Sequence, residues 1–188
     1  MQLYLACGPE DDVPRHVTPV RAAYRLDGDG ALCALSRPLY RAGLELWLHE
    51  RDAPAAPGCW VLVNTAQPRG SLQDRLTRAV RAYGPERIVL DVQRLRMDFP
   101  LPCPDGEGAY LTAAQLCRLR AGRTVFYSKE LGVRYFTYRQ GSASRFVLLD
   151  DGDTLRRKLA LGAQLGITRG LLTMPECGDV LAEVLASV

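Results

Sequence analysis

Several common protein features are missing from this chain of 188 residues. No apolar run approaches the roughly 20 residues that span a bilayer, so the sequence predicts no membrane helix. The first residues lack the basic start and the long apolar stretch of a secretory signal, which indicates a cytoplasmic protein. Lysine occurs only as Lys129 and Lys158, and Asn64 is the only asparagine. We attribute this skew to a GC-rich coding sequence rather than to a function that needs arginine.

The usual motifs of metal, nucleotide and nucleophile sites are also missing. The six cysteines form no CxxC pair and no zinc-like spacing with histidine, so we expect reduced thiols in or near the core. No GxGxxG or GxxxxGK[ST] follows a predicted strand, and His16 and His49 lack partners for nucleophilic catalysis. The net charge of +3 is small and mixed along the chain, which argues against nucleic acid. The sequence therefore predicts no cofactor and no metal.

Strands and helices alternate in the second half of the chain. Two apolar runs, Trp60–Thr65 and Arg87–Val92, are typical of buried strands, and the segment between them has helical periodicity. Ser71 is predicted to cap that helix, and Thr112 with Gln115 forms a possible capping box for another. Further strands are predicted over residues 124–127, 145–150 and 170–174, with a helix over residues 154–165. This alternation predicts an α/β fold with a parallel sheet.

The N-terminal third is less regular. Residues 3–6, 20–26, 32–35 and 44–48 are possible strands, but prolines interrupt this region and no clear amphipathic helix separates the strands. The whole chain then has about eight strands. We expect a single domain over residues 1–188 that forms a small or incomplete (β/α) TIM-like barrel, with reduced helices in its N-terminal third. An open doubly wound sheet is the alternative.

Candidate site residues lie where predicted strands end, because parallel sheets and barrels collect functional side chains at the carboxyl ends of their strands. Asp91 lies in a strand that is otherwise Ile, Val and Leu, where a carboxylate is costly unless it is paired or lines a cavity. It is either a site carboxylate at a barrel mouth or a structural acid held by an arginine. The other candidates at strand ends are Gln93, Tyr127, Asp150, Asp151 and Glu176.

Two of these candidates, and one aromatic residue, also have a structural interpretation. Asp150 and Asp151 can serve a turn and the start of the following helix instead of a ligand. Tyr138 can stack on a sugar ring or pack in the core or at its rim.

The last third of the chain has a distinctive order of elements. An aromatic strand, Tyr135–Tyr138, precedes an apolar strand that ends in two acids, Phe146–Asp151. A helix containing Lys158 follows, and then Leu165–Ile167 and Gly170 around a final strand. Over about 45 residues this order resembles the closing segment of glycoside hydrolase family 18. The likeness is closest to the branch found in spore-germination and peptidoglycan-associated proteins.

The signature of that family is D-x-x-D-x-D-x-E on the fourth barrel strand. The stretch ERIVLDVQ stands at the corresponding place, with Glu86 at the first acid, Val89 at the second, Asp91 at the third and Gln93 at the catalytic Glu. The resemblance implies that Asp91 would orient the acetamido group of a substrate, while the family's Glu protonates the glycosidic oxygen. Glutamine has no acidic proton to donate. The family's later Tyr-Asp pair is matched only by Tyr127, and its domain is much longer than this chain.

The resemblance implies a reduced protein on a family 18 scaffold that no longer hydrolyses glycosides by the family's mechanism. Its remaining cleft would bind a chitin- or peptidoglycan-like glycan or a protein partner. The residues expected to line that cleft are Asp91, Gln93, Tyr127 and Tyr138.

Two alternatives remain open at this point. In the first, the protein is an active glycoside hydrolase with a relocated acid, and Asp91 works with Asp150, Asp151 or Glu176. In the second, it is a structural or assembly protein with a filled barrel mouth and no ligand site.

Overall fold

The strands in the described part of the chain form two separate sheets. The computed structural model describes residues 1–7, 10–15, 17–20, 41–43 and 45–186. The first sheet contains β1 (Gln2–Ala6), β2 (Thr18–Val20), β3 (Trp47–His49), β4 (Trp60–Asn64), β5 (Ile88–Asp91) and β11 (Arg169–Thr173). The second sheet contains β6 (Arg96–Leu101), β7 (Ala109–Tyr110), β8 (Phe126–Ser128), β9 (Val133–Gln140) and β10 (Ala143–Leu149).

The first sheet is parallel throughout, in the order β2-β1-β11-β5-β4-β3. Asp91 is the last residue of the central strand β5, and its register partners are Asn64 on β4 and Leu171 on β11. Parallel strands bring their carboxyl ends to one edge of a sheet. The polar ends of β4 and β5 are therefore neighbours at that edge.

This parallel sheet is curled. Tyr4 on β1 and Trp47 on β3 meet edge to face with their ring centroids 4.9 Å apart, although three strands lie between theirs in the sheet. The guanidinium of Arg169 lies 3.6 Å from the ring centroid of Trp60 and 5.7 Å from that of Tyr4. Side chains can meet across intervening strands only if the sheet bends toward closure, as it does in barrels.

Within the described ranges, five helices flank the sheets: α1 (Leu72–Tyr83), α2 (Ala113–Arg120), α3 (Gly152–Gln164), α4 (Met174–Cys177) and α5 (Leu181–Leu185). The predicted N-caps of the first two are confirmed. Ser71 Oγ accepts a hydrogen bond from the amide of Asp74, and Thr112 with Gln115 forms a reciprocal capping box. Each cap satisfies backbone amides that the first helical turn leaves without a partner.

The second sheet corrects one expectation. It is antiparallel, in the order β7-β6-β10-β9-β8, and it lies within the connection between β5 and β11. We expected the strands near residues 124–127 and 145–150 to continue the parallel sheet. Their apolar runs identify buried strands, but a hydrophobic run does not reveal which neighbour a strand pairs with. Tyr127, Asp150 and Asp151 therefore do not lie at the carboxyl ends of parallel strands.

Three apolar clusters hold these layers together. The largest joins the parallel sheet to α1, α3 and α5. Gly162 on α3 lets the helix approach β5 closely, since a Cβ there would lie 2.9 Å from Leu90 Cδ2. The two smaller clusters lie on the antiparallel sheet, one with Phe136 and Leu116 of α2, the other with Phe99 and Leu148.

The predicted fold class is confirmed as a mixed α/β architecture with an incomplete TIM-like barrel. A short 3-10 turn, Ala53–Ala55, connects β3 to β4 in place of a full helix, as expected for the N-terminal third. The strand predicted over residues 3–6 is β1, and the one over residues 44–48 overlaps β3. The strands predicted over 20–26 and 32–35 lie outside the described residues, apart from Val20, and so does His16.

Candidate functional site

Three polar side chains form a hydrogen-bonded chain at the carboxyl edge of the parallel sheet. The side-chain Nε2 of Gln93 donates to Asp91 Oδ2 over 2.8 Å, and Asn64 Nδ2 donates to Gln93 Oε1 over 2.8 Å. Asn64 Oδ1 accepts in turn from the backbone amide of Ala66, at 2.6 Å. Both polar atoms of the Gln93 side chain are thus occupied, which orients its amide toward the carboxylate of Asp91.

The strand register explains why these side chains meet. Asn64 and Asp91 lie directly opposite each other on neighbouring strands, so they project from the same face of the sheet. Leu90 projects from the other face, where it lies close to Gly162 of α3. Because side chains alternate along a strand, Asp91 points away from α3, toward the inner side of the curled sheet.

Asp91 is buried, with 4% of its surface exposed. Burial raises the pKa of its carboxyl group above the ordinary value, and the nearby carboxylate of Glu176 raises the pKa further. Two effects lower the pKa of Asp91: the charge of exposed His49, at the end of β3, and the hydrogen bond from Gln93. Among the described residues, no arginine is within ion-pairing distance of Asp91 (4.0 Å). The choice between a site carboxylate and a structural acid therefore stays open, and the role of Asp91 stays a prediction.

Glu176 is held next to this site by Arg94. The backbone amide of Arg94 donates to Glu176 Oε2 at 3.2 Å, and Arg94 Nη1 donates to the carbonyl oxygen of Glu176 at 3.1 Å. The guanidinium also donates to the carbonyl of Asp150 and forms an ion pair with Asp179. Arg94 therefore connects the end of β5, the segment after β11 and the end of β10.

Asp150 and Asp151 make their contacts within the protein. Asp150 is 1% exposed and accepts hydrogen bonds from Lys158 Nζ at 2.6 Å, Thr154 Oγ1 at 2.8 Å and the amide of Leu95 at 2.8 Å. Asp151 is the N-cap of α3 and forms an ion pair with Arg134. These contacts give both acids the structural role that was one of their two interpretations. Their part in ligand binding stays a prediction.

The two predicted aromatic ligands lie on the antiparallel sheet. Tyr138 donates to Asp98 Oδ2 at 2.7 Å, and Arg145 pairs with the same carboxylate at 2.7 Å. Burial and the Asp98 carboxylate raise the pKa of the Tyr138 hydroxyl. Tyr127 is 38% exposed, with the guanidinium of Arg157 5.2 Å from its ring centroid. No contact given by the structure joins Tyr127 or Tyr138 to Asp91, and their role in binding stays a prediction.

Sequence reasoning missed Asn64 as a site residue. The signal was present, since a polar residue ends an otherwise apolar strand and is the only asparagine of the chain. We attributed that rarity to coding bias, which hid the signal. The pairing of β4 with β5, which a single sequence does not reveal, places Asn64 beside Asp91 and Gln93.

The described part of the chain contains no group of three or more His, Cys, Asp or Glu side chains arranged to hold a metal ion. Nor does any helix in the described ranges have the length and apolar character of a membrane span.

Comparisons with known proteins find structural neighbours of this architecture but no relatives by sequence. No protein-family model matches the chain, and no curated protein matches it at a significant level. Several solved structures do. The chitinase of Chromobacterium violaceum aligns over 84% of this chain and 61% of its own, with a TM-score of 0.60 at 17% identity.

Two spore cortex-lytic enzymes called SleL are similar to a comparable degree. The Bacillus megaterium protein aligns over 77% of this chain and 41% of its own, with a TM-score of 0.56 at 18% identity. The Bacillus cereus protein aligns over 89% of this chain and 48% of its own, with a TM-score of 0.58 at 14% identity. The chain thus spans between two fifths and three fifths of these three structures.

These neighbours are similar to family 18 glycoside hydrolases, so the resemblance found in the sequence is confirmed at the level of the fold. Identities this low carry no information about activity.

Proposed function

We propose that this protein is a glycan-binding member of the family 18 fold group that lacks the family's acid catalysis. The single observation that supports this most directly is the Gln93 side chain, which bridges Asn64 and Asp91 at the carboxyl edge of the sheet. Gln93 stands at the sequence position of the family's catalytic Glu. It also lies next to the acid that would orient a substrate.

The chemistry of an amide explains the loss of hydrolysis. A family 18 acid must transfer a proton to the glycosidic oxygen, and an uncharged amide has no proton of suitable acidity. Removing a general acid typically lowers a rate by about 10² to 10⁴. Gln93 keeps the shape and the hydrogen bonds of a protonated Glu, so a site that recognises sugar hydroxyl or acetamido groups can persist without turnover.

The neighbours suggest the class of glycan. One is a chitinase and two are spore cortex-lytic enzymes, which makes chitin-like and peptidoglycan-like oligosaccharides the first ligands to test. Asp91 and Gln93 would supply the polar contacts, with Asn64 positioning the amide. The exposed Tyr127 would offer an aromatic surface for a more distant sugar ring.

A second candidate function is hydrolysis through a relocated acid. The observation that favours it is the Glu176 carboxylate, which Arg94 holds near Asp91 and which adds to the rise in the pKa of Asp91 that burial mainly causes. Two neighbouring carboxyl groups in different environments can divide the roles of acid and base. Glu176 would then act in place of the missing Glu.

The experiment measures binding and turnover with the same oligosaccharides. We expect calorimetry to detect binding of N-acetylglucosamine oligomers or peptidoglycan fragments to the full chain, without product in chromatography after long incubation. Gln93→Ala should weaken binding about tenfold, since it removes the amide proposed to contact the sugar, which is worth about one hydrogen bond. Gln140→Ala, which alters an exposed glutamine at the end of β9, is the matched control and should bind as the native chain does.

Three outcomes would contradict the proposal. Turnover that Gln93→Ala or Asp91→Asn abolishes would show an active site of the family type. Turnover that persists in Gln93→Ala but is lost in Glu176→Gln would establish the relocated acid. Absence of binding to every glycan, together with a stable symmetric dimer that buries more than about 1,000 Å², would favour an assembly role.

A further inference from the structure

A groove separate from the Asp91 site lies between helix α2 and the segment that follows β5. Its volume is about 470 Å³, within the range of small-molecule sites. One wall carries Arg94 and Arg96, and the other is the helix with Arg120 near its C-terminal end. Ala113, Leu116, Cys117 and Ala121 complete the helical wall, and Asp179 also lines the groove.

The charges that line the groove do not cancel. Asp179 is its only acid, and that carboxylate is already paired with Arg94. The Arg94 guanidinium also donates to two backbone carbonyls, so its side chain belongs to the scaffold of the groove. The positive charges of the two other lining arginines, Arg96 and Arg120, are not neutralised by an acid in the lining.

Arg96 and Arg120 have no acidic partner among the described residues. Arg96 donates to the hydroxyl oxygen of Tyr110, at 2.7 Å from Nη2 and 3.2 Å from Nε, with its guanidinium 5.4 Å from the ring centroid. Arg120 makes no ion pair or side-chain hydrogen bond in the described part of the chain. Guanidinium groups bind carboxylates and phosphates through paired N–H donors. The two arginines therefore offer free donors to the same groove.

We propose that this groove binds a small organic anion. Its oxyanion head, a carboxylate or a phosphate, would lie between Arg96 and Arg120, and its apolar body would lie along the apolar wall formed by Ala113, Leu116 and Ala121. The proposal is independent of glycan binding at Asp91, because it uses neither Asn64 nor Gln93. An exposed pair of arginines gives weak binding, so the affinity should fall steeply as salt is added.

Cys117 provides a reporter inside the groove. It lines the groove and is exposed, whereas Cys59 and Cys177 are buried. The test measures how fast N-ethylmaleimide alkylates Cys117 in the full chain, by peptide mass spectrometry. We expect millimolar phenyl phosphate or benzoate to slow that reaction about fivefold at low salt, and uncharged benzyl alcohol to leave it unchanged. Comparing phenyl phosphate with benzoate shows which head group is preferred.

Variants test whether Arg96 and Arg120 hold the anion that protects Cys117. The double variant Arg96→Gln/Arg120→Gln should lose the protection, while Arg118→Gln should keep it, since Arg118 is exposed on the same helix but does not line the groove. Circular dichroism checks that each variant is folded. The proposal is wrong if neither anion protects Cys117, or if protection is equal in the native chain and the double variant. It is also wrong if inorganic phosphate protects as well as phenyl phosphate, because the apolar wall would then contribute nothing.

Discussion

Lys158 Nζ lies 2.6 Å from Asp150 Oδ2, and neither side chain is exposed to solvent. The pair joins the middle of α3 to the end of β10, and Asp150 also accepts from the backbone amide of Leu95. The ion pair therefore connects the antiparallel sheet to the helix that leads back to the parallel sheet.

Removing one partner of this pair should destabilise the protein strongly. Lys158→Met leaves a buried carboxylate without its cation, and we expect the free energy of unfolding to fall by about 3–5 kcal/mol. Urea denaturation followed by circular dichroism measures the change. Arg157→Gln, on the exposed side of the same helix, is the control and should cost much less, because exposed ion pairs contribute little to stability. An equal loss in the free energy of unfolding of the two variants would show that the buried pair stabilises the protein no more than an exposed pair does.

The raised pKa of Asp91 predicts a pH dependence of stability. A carboxyl group whose pKa is higher in the folded state than in the unfolded chain makes folding less favourable as the pH rises through the folded value. At neutral pH, Asp91→Asn should therefore be at least as stable as the native chain. The stability difference between the two should shrink as the pH falls toward the ordinary aspartate pKa. Denaturation midpoints of the native chain and of Asp91→Asn, measured from acidic to neutral pH, test this. The prediction is wrong if the variant loses stability relative to the native chain as the pH rises.

Gln93→Glu should introduce a repulsive carboxyl pair. The new carboxylate would lie beside buried Asp91, where Gln93 now donates a hydrogen bond, so the two groups would share one proton. Relative to the native chain, we expect a loss of about 1–2 kcal/mol at neutral pH that is recovered in acid. Gln140→Glu, at an exposed position, should show no such pH dependence. A Gln93→Glu protein equally stable at both pH values would mean that residue 93 does not face Asp91.

Gly170 permits close packing between β11 and α3. A Cβ at this position would lie 2.8 Å from Leu159 Cδ2 and 3.1 Å from Leu3 Cδ2. Gly170→Ala should therefore cost about 1–3 kcal/mol through overpacking. Thr168→Ala, exposed just before the strand, should change stability by less than about 0.5 kcal/mol. Thermal unfolding measures the stability change in both variants. A Gly170→Ala protein as stable as the native chain would show that α3 can shift to accommodate the added methyl group.

Local signals predicted part of this architecture well. The capping residues Ser71 and Thr112 identified two helix starts, because a side-chain cap depends only on neighbours three residues away. Val-rich runs identified β4 and β5 as buried strands. The order of elements from Tyr135 onward identified the fold group without any long-range information.

The pairing of strands could not be predicted in the same way. The run that contains Phe146 has the composition of a buried strand in either kind of sheet, and only its partners β6 and β9 make it antiparallel. Tyr127 and Asp150 were consequently assigned to an edge of the parallel sheet that their strands do not reach. Asn64 was overlooked because its neighbour in space, Gln93, is 29 residues away.

The amino-acid sequence by itself determined the chemical character of the candidate site, because the presence of an amide at residue 93 and an acid at residue 91 does not depend on folding. It also determined where α1 and α2 begin, because capping by Ser71 and Thr112 is local. The tertiary structure decided which side chains meet. The parallel register sets Asn64 opposite Asp91, the curl of the sheet brings Tyr4 to Trp47, and the packing of α3 buries Asp150 with Lys158. These contacts depend on distant segments of the chain, and their geometry arises only when the core is packed.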